Sequence, residues 1–275
     1  SLQGAESSEA LGELKIPMDA TLLINDGQHR RAAIELAIKE EPELRDDSVP
    51  VLLFIDKGLQ RSQQMFADLN KHSIRPSDSL STLYDHRDPS SELARLVSMS
   101  VDGFIGMTEM EKTSISNRSL KLFTLSGLKN ANRALLKKNR NNDISQSEKE
   151  FAISFWKIVF NLIPDWGRAK RREVAPSELR QSCVHSHAVA LAALGYMGAD
   201  LFEAYPKDWQ NRIKGISGVD WSRSNLAQWE GRALVLGKIS KSKNNVILTS
   251  NVLKKAVGLN LQPAELELEE RFNNV

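Results

Sequence analysis

The chain has 275 residues, of which 41% are hydrophobic and 26% charged, and its formal net charge is +2. This is the composition of a soluble globular protein of one large domain or two modest ones, and near-neutrality leaves any affinity for polyanions to local patches. The single cysteine, Cys183, excludes an internal disulfide framework and fits a reducing cytoplasm, and there is no run of about 18 apolar residues to span a membrane.

The opening "SLQGAESSEALGEL" has neither an initiator Met nor a signal-peptide pattern. It reads as a processed end cut inside a domain, so the first unit is expected to be N-terminally truncated. "ATLLIND" (20–26) has the length and apolar content of a buried strand. "GQHRRAAIELAIKE" then places Ile34, Ala37 and Ile38 at helical spacing, with Arg31, Glu35 and Lys39 elsewhere. "VPVLLFID" (49–56) predicts a second strand, and Met65, Phe66 and Leu69 of "GLQRSQQMFADLNKH" a second helix. Residues 20–72 therefore alternate strand, helix, strand, helix.

Beyond them the pattern turns helical. "DSLSTLYDHRDPSSELARLVSM" is loop and helix around "YDHRDP", and residues 119–140 are helical with a basic end. An Asn-rich break, "NRNNDISQSEKE", precedes "FAISFWKIVFNLIPDW", which is apolar at helical spacing. "ELRQSCVHSHAVALAALGYMG" predicts one helix closed by Gly195 or Gly198. The rest is mostly helical, with a short extended start to "NVILTSNVLKKAVGL". The expected organisation is a small α/β unit with a helical extension over 1–140, followed by a mainly helical domain over 141–275.

"DGQHRR" sets Gly27, Gln28, His29, Arg30 and Arg31 at the start of the first helix. The first amides of a helix lack intrahelical partners and carry partial positive charge. Gly27 lets an anion approach the backbone, and the guanidiniums and imidazole supply further donors, so phosphate binding accounts for the composition. Asp26 stands where an N-cap stands and competes for the same amides, or it holds a metal ion or water beside the phosphates. The plain alternative is a cap, a turn and a solvated basic face.

"DGQHR", after an apolar strand and before a helix, resembles the signature of the DGQHR-domain family, which is related to the ParB/sulfiredoxin-like fold. More narrowly, "INDGQHRRAAI", "FADLNKHSIRPSDSL" and "LYDHRDP" together resemble the DndB-type family of DNA sulfur-modification (phosphorothioation) proteins. That resemblance covers most of residues 20–140 and extends loosely over the helical remainder. It implies an α+β protein with a nucleotide-phosphate turn at Gly27, Gln28, His29 and Arg30, where Gln28 replaces the catalytic cysteine of sulfiredoxin. It also implies DNA binding and control of the modification genes in the cytoplasm, with DNA and other phosphorothioation proteins as partners. ATP or another nucleotide with Mg²⁺ is the implied cofactor. The alternative class is an enzyme, a nucleotide hydrolase or nickase, with Asp26, His29 and Arg30 as catalytic candidates and Asp26 or Asp68 on Mg²⁺.

"FADLNKHSIRP" brings Asp68, Asn70, Lys71, His72 and Arg75 to a helix end, and family likeness adds Asn70 to the phosphate site. The plain reading is a helix C-terminus whose cations favour the dipole. Asp85 and Asp88 of "YDHRDP" either do acid–base work or cap the next helix, and the cap is favoured because no nucleophile lies nearby. DNA-phosphate candidates are Lys137, Lys138 and Arg140, then Arg168, Lys170, Arg171 and Arg172, and a third cluster of Lys238, Lys241 and Lys243. In "CVHSH" the four-residue spacing of Cys183 and His187 lacks the further ligands zinc needs, so no metal is expected. The five tryptophans are expected as core or inter-helix anchors.

Overall fold

Helices dominate the residues described by this computed structural model, which are 2–4, 12–24, 27–53, 58–70, 76–139 and 142–273. They divide into two units, Ser1–Phe66 and Ala67–Val275.

In the first unit, β1 (Leu2–Gly4) and β2 (Gly12–Leu14) pair antiparallel, with Leu2 opposite Leu14. Helix α1 (Gln28–Glu40) is followed by a 3-10 turn over Pro42–Asp46, and α2 (Leu59–Asn70) runs across the division between the units. The two predicted helices are therefore present. The two predicted strands are not: residues 21–24 and 49–53 form no ladder among the described residues. A strand needs a neighbour to complete its backbone hydrogen bonds, and apolar content does not supply one. Without it, Leu22, Leu23, Val51 and Leu52 stand 65, 71, 75 and 73% exposed. Residues 54–56 of the second expected strand lie outside the described residues.

The second unit contains α3 (Asp78–Tyr84), α4 (Pro89–Ser100), the short strands β3 (Thr108–Glu109) and β4 (Phe123–Thr124), α5 (Leu125–Leu135), α6 (Gln146–Leu162), α7 (Pro164–Lys170) and α8 (Pro176–Ser182). Then come α9 (Ala188–Ala204), α10 (Trp209–Arg212), α11 (Leu226–Trp229), the hairpin β5 (Leu234–Val235) and β6 (Lys238–Ile239), α12 (Lys243–Ala256) and α13 (Pro263–Asn273). Local chemistry fixes the starts. Ser145 and Glu148 form a reciprocal capping box on α6, Asp88 caps α4 ahead of Pro89, and Thr124 and Ser242 cap α5 and α12. The β5–β6 turn has positive φ at both Leu236 and Gly237, the handedness that matches strand twist in a two-residue hairpin. The extended stretch expected within 245–259 is helical from Lys243 onward, because the Ser242 cap starts α12 there.

Helix α9 lies at the centre, buried or half-buried from Val189 to Leu201 except at Tyr196, with α5 and α12 packed on it and α4 on α5. Residues 67–140 thus share one core with 141–275, and the division falls at Phe66/Ala67 instead of near 140. A Cβ on Gly195 would lie 2.3 Å from the Ala131 carbonyl oxygen, and one on Gly198 would lie 2.4 Å from the Phe155 ring. Both glycines therefore sit where α9 meets its neighbours at closest approach, and α9 runs straight through them. The single helix expected over 178–198 is instead α8 and α9, separated at Cys183–His187. There the backbone is extended at Cys183 and His187, on either side of a 3-10 turn over Val184–Ser186; Cys183 bridges Ser222, and the Val184 N–H donates to the Trp221 carbonyl at 2.8 Å. All five tryptophans are buried, as expected of anchors, and Phe104, Phe123, Trp156 and Trp166 pack edge to face.

Candidate functional site

At the start of α1, Gly27 holds the left-handed conformation (φ 102°) and occupies the N-cap position, so it offers no side-chain oxygen to the first turn. The Arg30 guanidinium packs back over Gly27, 3.7 Å from where a Cβ would stand. Gln28 Nε2 donates to the Ile24 carbonyl at 3.2 Å, which ties the turn to the preceding segment. Arg31 points along the helix and pairs with Glu35 at 2.8 Å, while His29 is exposed. The turn thus brings Gly27 and Arg30 together and leaves Arg31 in an ordinary i,i+4 pair. Asp26 lies outside the described residues, as do Lys71, His72 and Arg75. Asn70 is the last residue of α2.

"YDHRDP" resolves into a cap. Asp88 is buried and accepts from the Ser90 N–H at 2.9 Å and from Lys129 Nζ at 2.7 Å. Burial by itself would raise its carboxyl, but these donors outweigh it and bring the pKa down to about 2. Arg87 pairs with Asp68, and its backbone N–H is accepted by Asp85 at 3.0 Å.

The basic candidates separate into two groups. On α7, Arg168 pairs with Asp165 at 2.9 Å, Lys170 donates to the Asp102 carbonyl, and Arg171 grips Glu173 through two hydrogen bonds. Arg172 follows in a left-handed conformation (φ 61°) and is exposed. The second group converges. Lys137 and Lys138, past the end of α5, share the walls of a cavity of about 660 Å³ with Lys241 and Lys243 at the start of α12. Arg133 lines the same cavity, with a buried Nε that has no hydrogen-bond partner. Tyr196 stands in its wall, 43% exposed. Arg140 lies outside the described residues, and Lys238 is on β6.

A second cavity of about 520 Å³ adjoins the first through Ala188 and Lys241, and Arg180 and Arg223 line it. Those guanidiniums are held by carbonyls: Arg180 donates to Ser116 at 2.9 Å and Arg223 to Gly237 at 2.8 Å. Among the described residues no Asp or Glu lines either cavity. Of the seven cations named, only Lys137 (with Asp200 and Glu203) and Lys138 (with Glu148) have carboxylate partners there. Uncompensated cations in a walled groove raise the local positive potential well above what a net charge of +2 suggests. Residue spacing singled out Lys137, Lys138, Lys241 and Lys243 but not Arg133, Arg180, Arg223 or Tyr196. The convergence depends on α5 and α12 both packing on α9, which no local pattern encodes. Tyr196 alone carried a signal, as the one residue with a polar tip in "AVALAALGYMG".

Asp165, Cys183 and His185 also meet, with ligand-type atoms within 4.8 Å of one another. His185 Nδ1 accepts from the Trp166 indole at 3.1 Å, so its proton stays on Nε2, the nitrogen facing Asp165. Burial pushes the Cys183 thiol up. A metal needs a bare Nε2 and a thiolate, and both are disfavoured here.

Fold and groove together define a helix-rich protein with a cation-lined groove, and among the described residues no helix is long and apolar enough to cross a membrane. The chain belongs to the DndB family of DNA-sulfur modification-associated proteins, whose family model matches residues 1–260. Membership associates it with the DNA sulfur-modification (phosphorothioation) system. No match was found among curated proteins or among solved structures.

Proposed function

We propose that this protein is a DNA-associated accessory and regulatory component of the sulfur-modification system, acting at the promoter of the modification genes from the cytoplasm alongside other modification proteins. One observation carries the proposal: Lys241 and Lys243 converge with Arg133 on a groove without carboxylate walls, which Lys137 and Lys138, from a distant sequence cluster and each paired with a carboxylate outside those walls, also line. Each phosphate neutralised by a lysine or arginine releases condensed counterions, so affinity falls steeply with salt. The test is a gel-shift or anisotropy titration of promoter DNA across a salt series. The expected result is a steep negative slope of log affinity against log salt, reduced by about two in Lys241→Glu/Lys243→Glu. No binding, or a flat slope, overturns it.

A second reading concerns the first unit. The left-handed Gly27 with the Arg30 guanidinium over it favours a ParB-like phosphate turn for ATP or another nucleotide with Mg²⁺, held by Gly27, Gln28, His29 and Arg30. Calorimetric titration of ATP with Mg²⁺ tests it, because Arg30→Ala removes the guanidinium and is expected to abolish the heat. ATP turnover lost in the same variant would place Arg30 in a hydrolase; binding that survives the substitution sinks the phosphate turn.

A further inference from the structure

We infer that the groove takes a single strand, with one unpaired base stacked on the Tyr196 ring; this rests on the reading of the groove as a nucleic-acid site. Between Val189 and Leu201, a helix that buries or half-buries every other residue leaves Tyr196 43% exposed. Its ring forms part of a cavity wall whose other members include Arg133, Lys241 and Lys243. An aromatic face flanked by cations is the pairing that single-strand binders use, with the ring taking a base and the cations following the phosphates.

Size and shape agree. A cavity of about 660 Å³ is within the range for one small ligand, so a nucleotide fits it. A duplex is read by an element that projects into its major groove, whereas this surface is concave. Asn130 and Asn139 on the same wall carry amide groups that both donate and accept, which suits the edge of an unpaired base. The strand has a way onward: Lys241 also belongs to the adjoining cavity, where Arg180 and Arg223 are already held in place by carbonyl acceptors. Their positive charges remain available to the next phosphates.

Fluorescence anisotropy on the full chain tests this, using a labelled mixed-sequence strand of about 12 nucleotides and its duplex, each across a salt series. The variants are Tyr196→Ala, Tyr196→Phe and Lys241→Glu/Lys243→Glu, with circular dichroism melts to confirm folding. The expected result is tighter binding of the single strand than of the duplex. Tyr196→Ala should weaken single-strand binding roughly tenfold at an unchanged salt slope, and Tyr196→Phe should keep it. The lysine pair should lower both affinities and flatten the slope. Duplex binding equal to or tighter than single-strand binding, with Tyr196→Ala neutral, overturns the inference and leaves the DNA reading standing. Single-strand preference that survives Tyr196→Ala, or is lost in Tyr196→Phe, overturns the stacking. Binding of neither nucleic acid overturns both.

Discussion

The Trp166 indole N–H donates to His185 Nδ1 at 3.1 Å inside the core, and this one bond fixes the histidine's tautomer. An indole nitrogen only donates, so Nδ1 must accept and the ring proton resides on Nε2, 3.3 Å from Asp165 Oδ2. Burial lowers the His185 pKa, with Asp165 opposing the shift only in part. Two residues on, burial pushes His187 down to about 4, although its Nε2 meets the Arg180 carbonyl at 2.8 Å.

Both histidines therefore make the fold acid-sensitive. Above the unfolded pKa of about 6.5, both states are neutral and stability is independent of these groups. As pH falls below 6.5 the unfolded chain takes up protons that the folded chain refuses until about pH 4 at His187, so stability is lost through that window. His187 alone accounts for about 3 kcal/mol across it. Urea midpoints should hold between pH 7.5 and about 6.5 and decline from there to pH 4.5, and His187→Gln should decline less. A pH-independent midpoint contradicts the burial argument.

The same tautomer bears on metals. With Nδ1 engaged by Trp166 and the Cys183 thiol held protonated by burial, the Asp165–Cys183–His185 cluster should not capture Zn²⁺. Thermal melts with and without a modest excess of Zn²⁺ should coincide. A rise of several degrees that Cys183→Ser abolishes would disprove it.

Close helix contact at α9 makes Gly195 intolerant. An added methyl would sit 2.3 Å from the Ala131 carbonyl oxygen, and backbone cannot yield as a flexible side chain can. Gly195→Ala should cost about 1–3 kcal/mol and lower the melting temperature by several degrees, despite alanine's better helix propensity. Equal or greater stability would mean that α5 and α9 are further apart than described.

Two helices end on a left-handed cation. After α5 the Lys138 N–H reaches the Arg133 carbonyl and the Lys137 N–H reaches Ala134, the paired bonds of a Schellman turn; after α7, Glu173 and Arg172 make the same bonds to Arg168 and Ala169. After α12 the equivalent position is Gly258 (φ 76°), which adopts this conformation without strain. Arg172→Gly should therefore stabilise the protein by about 0.5–1 kcal/mol, read as a higher urea midpoint. A lower midpoint would show that the exposed guanidinium makes a contact worth more than the strain.

The ion-paired cations of α7 should matter little to DNA. Arg168 and Arg171 are already matched by Asp165 and Glu173, so Arg171→Ala should leave affinity within about twofold, whereas Lys241→Glu/Lys243→Glu should not. A large loss at Arg171 would move the interface from the groove to α7.

Periodicity reads α1, α2 and the body of α6 well, since each repeats apolar residues every three to four positions, but it leaves the first turn of α6, Gln146–Glu150, in the polar break although the Ser145–Glu148 capping box starts the helix there. It misjudged 21–24 and 49–53, whose apolar runs look identical whether or not a neighbouring strand exists. It also drew one helix through Cys183–His187, because the interruption is imposed by Trp221 and Ser222, which approach from elsewhere in the chain. For the groove, lysine clusters were visible one at a time. Their meeting point, and the part played by Arg133 and Tyr196, required knowing that α5 and α12 lie against the same helix.

The enclosure of α9 has a dynamic consequence. The amides of its buried span, Val189–Leu201, should exchange with solvent through opening of the whole second unit and be the slowest to take up deuterium. Tyr196 and Ala188 are carried by that segment, and the floor of the groove should persist until global melting. Ligand capture on heating should then fail together with the fold, not ahead of it, and little of the entropic cost of association should fall on the protein side.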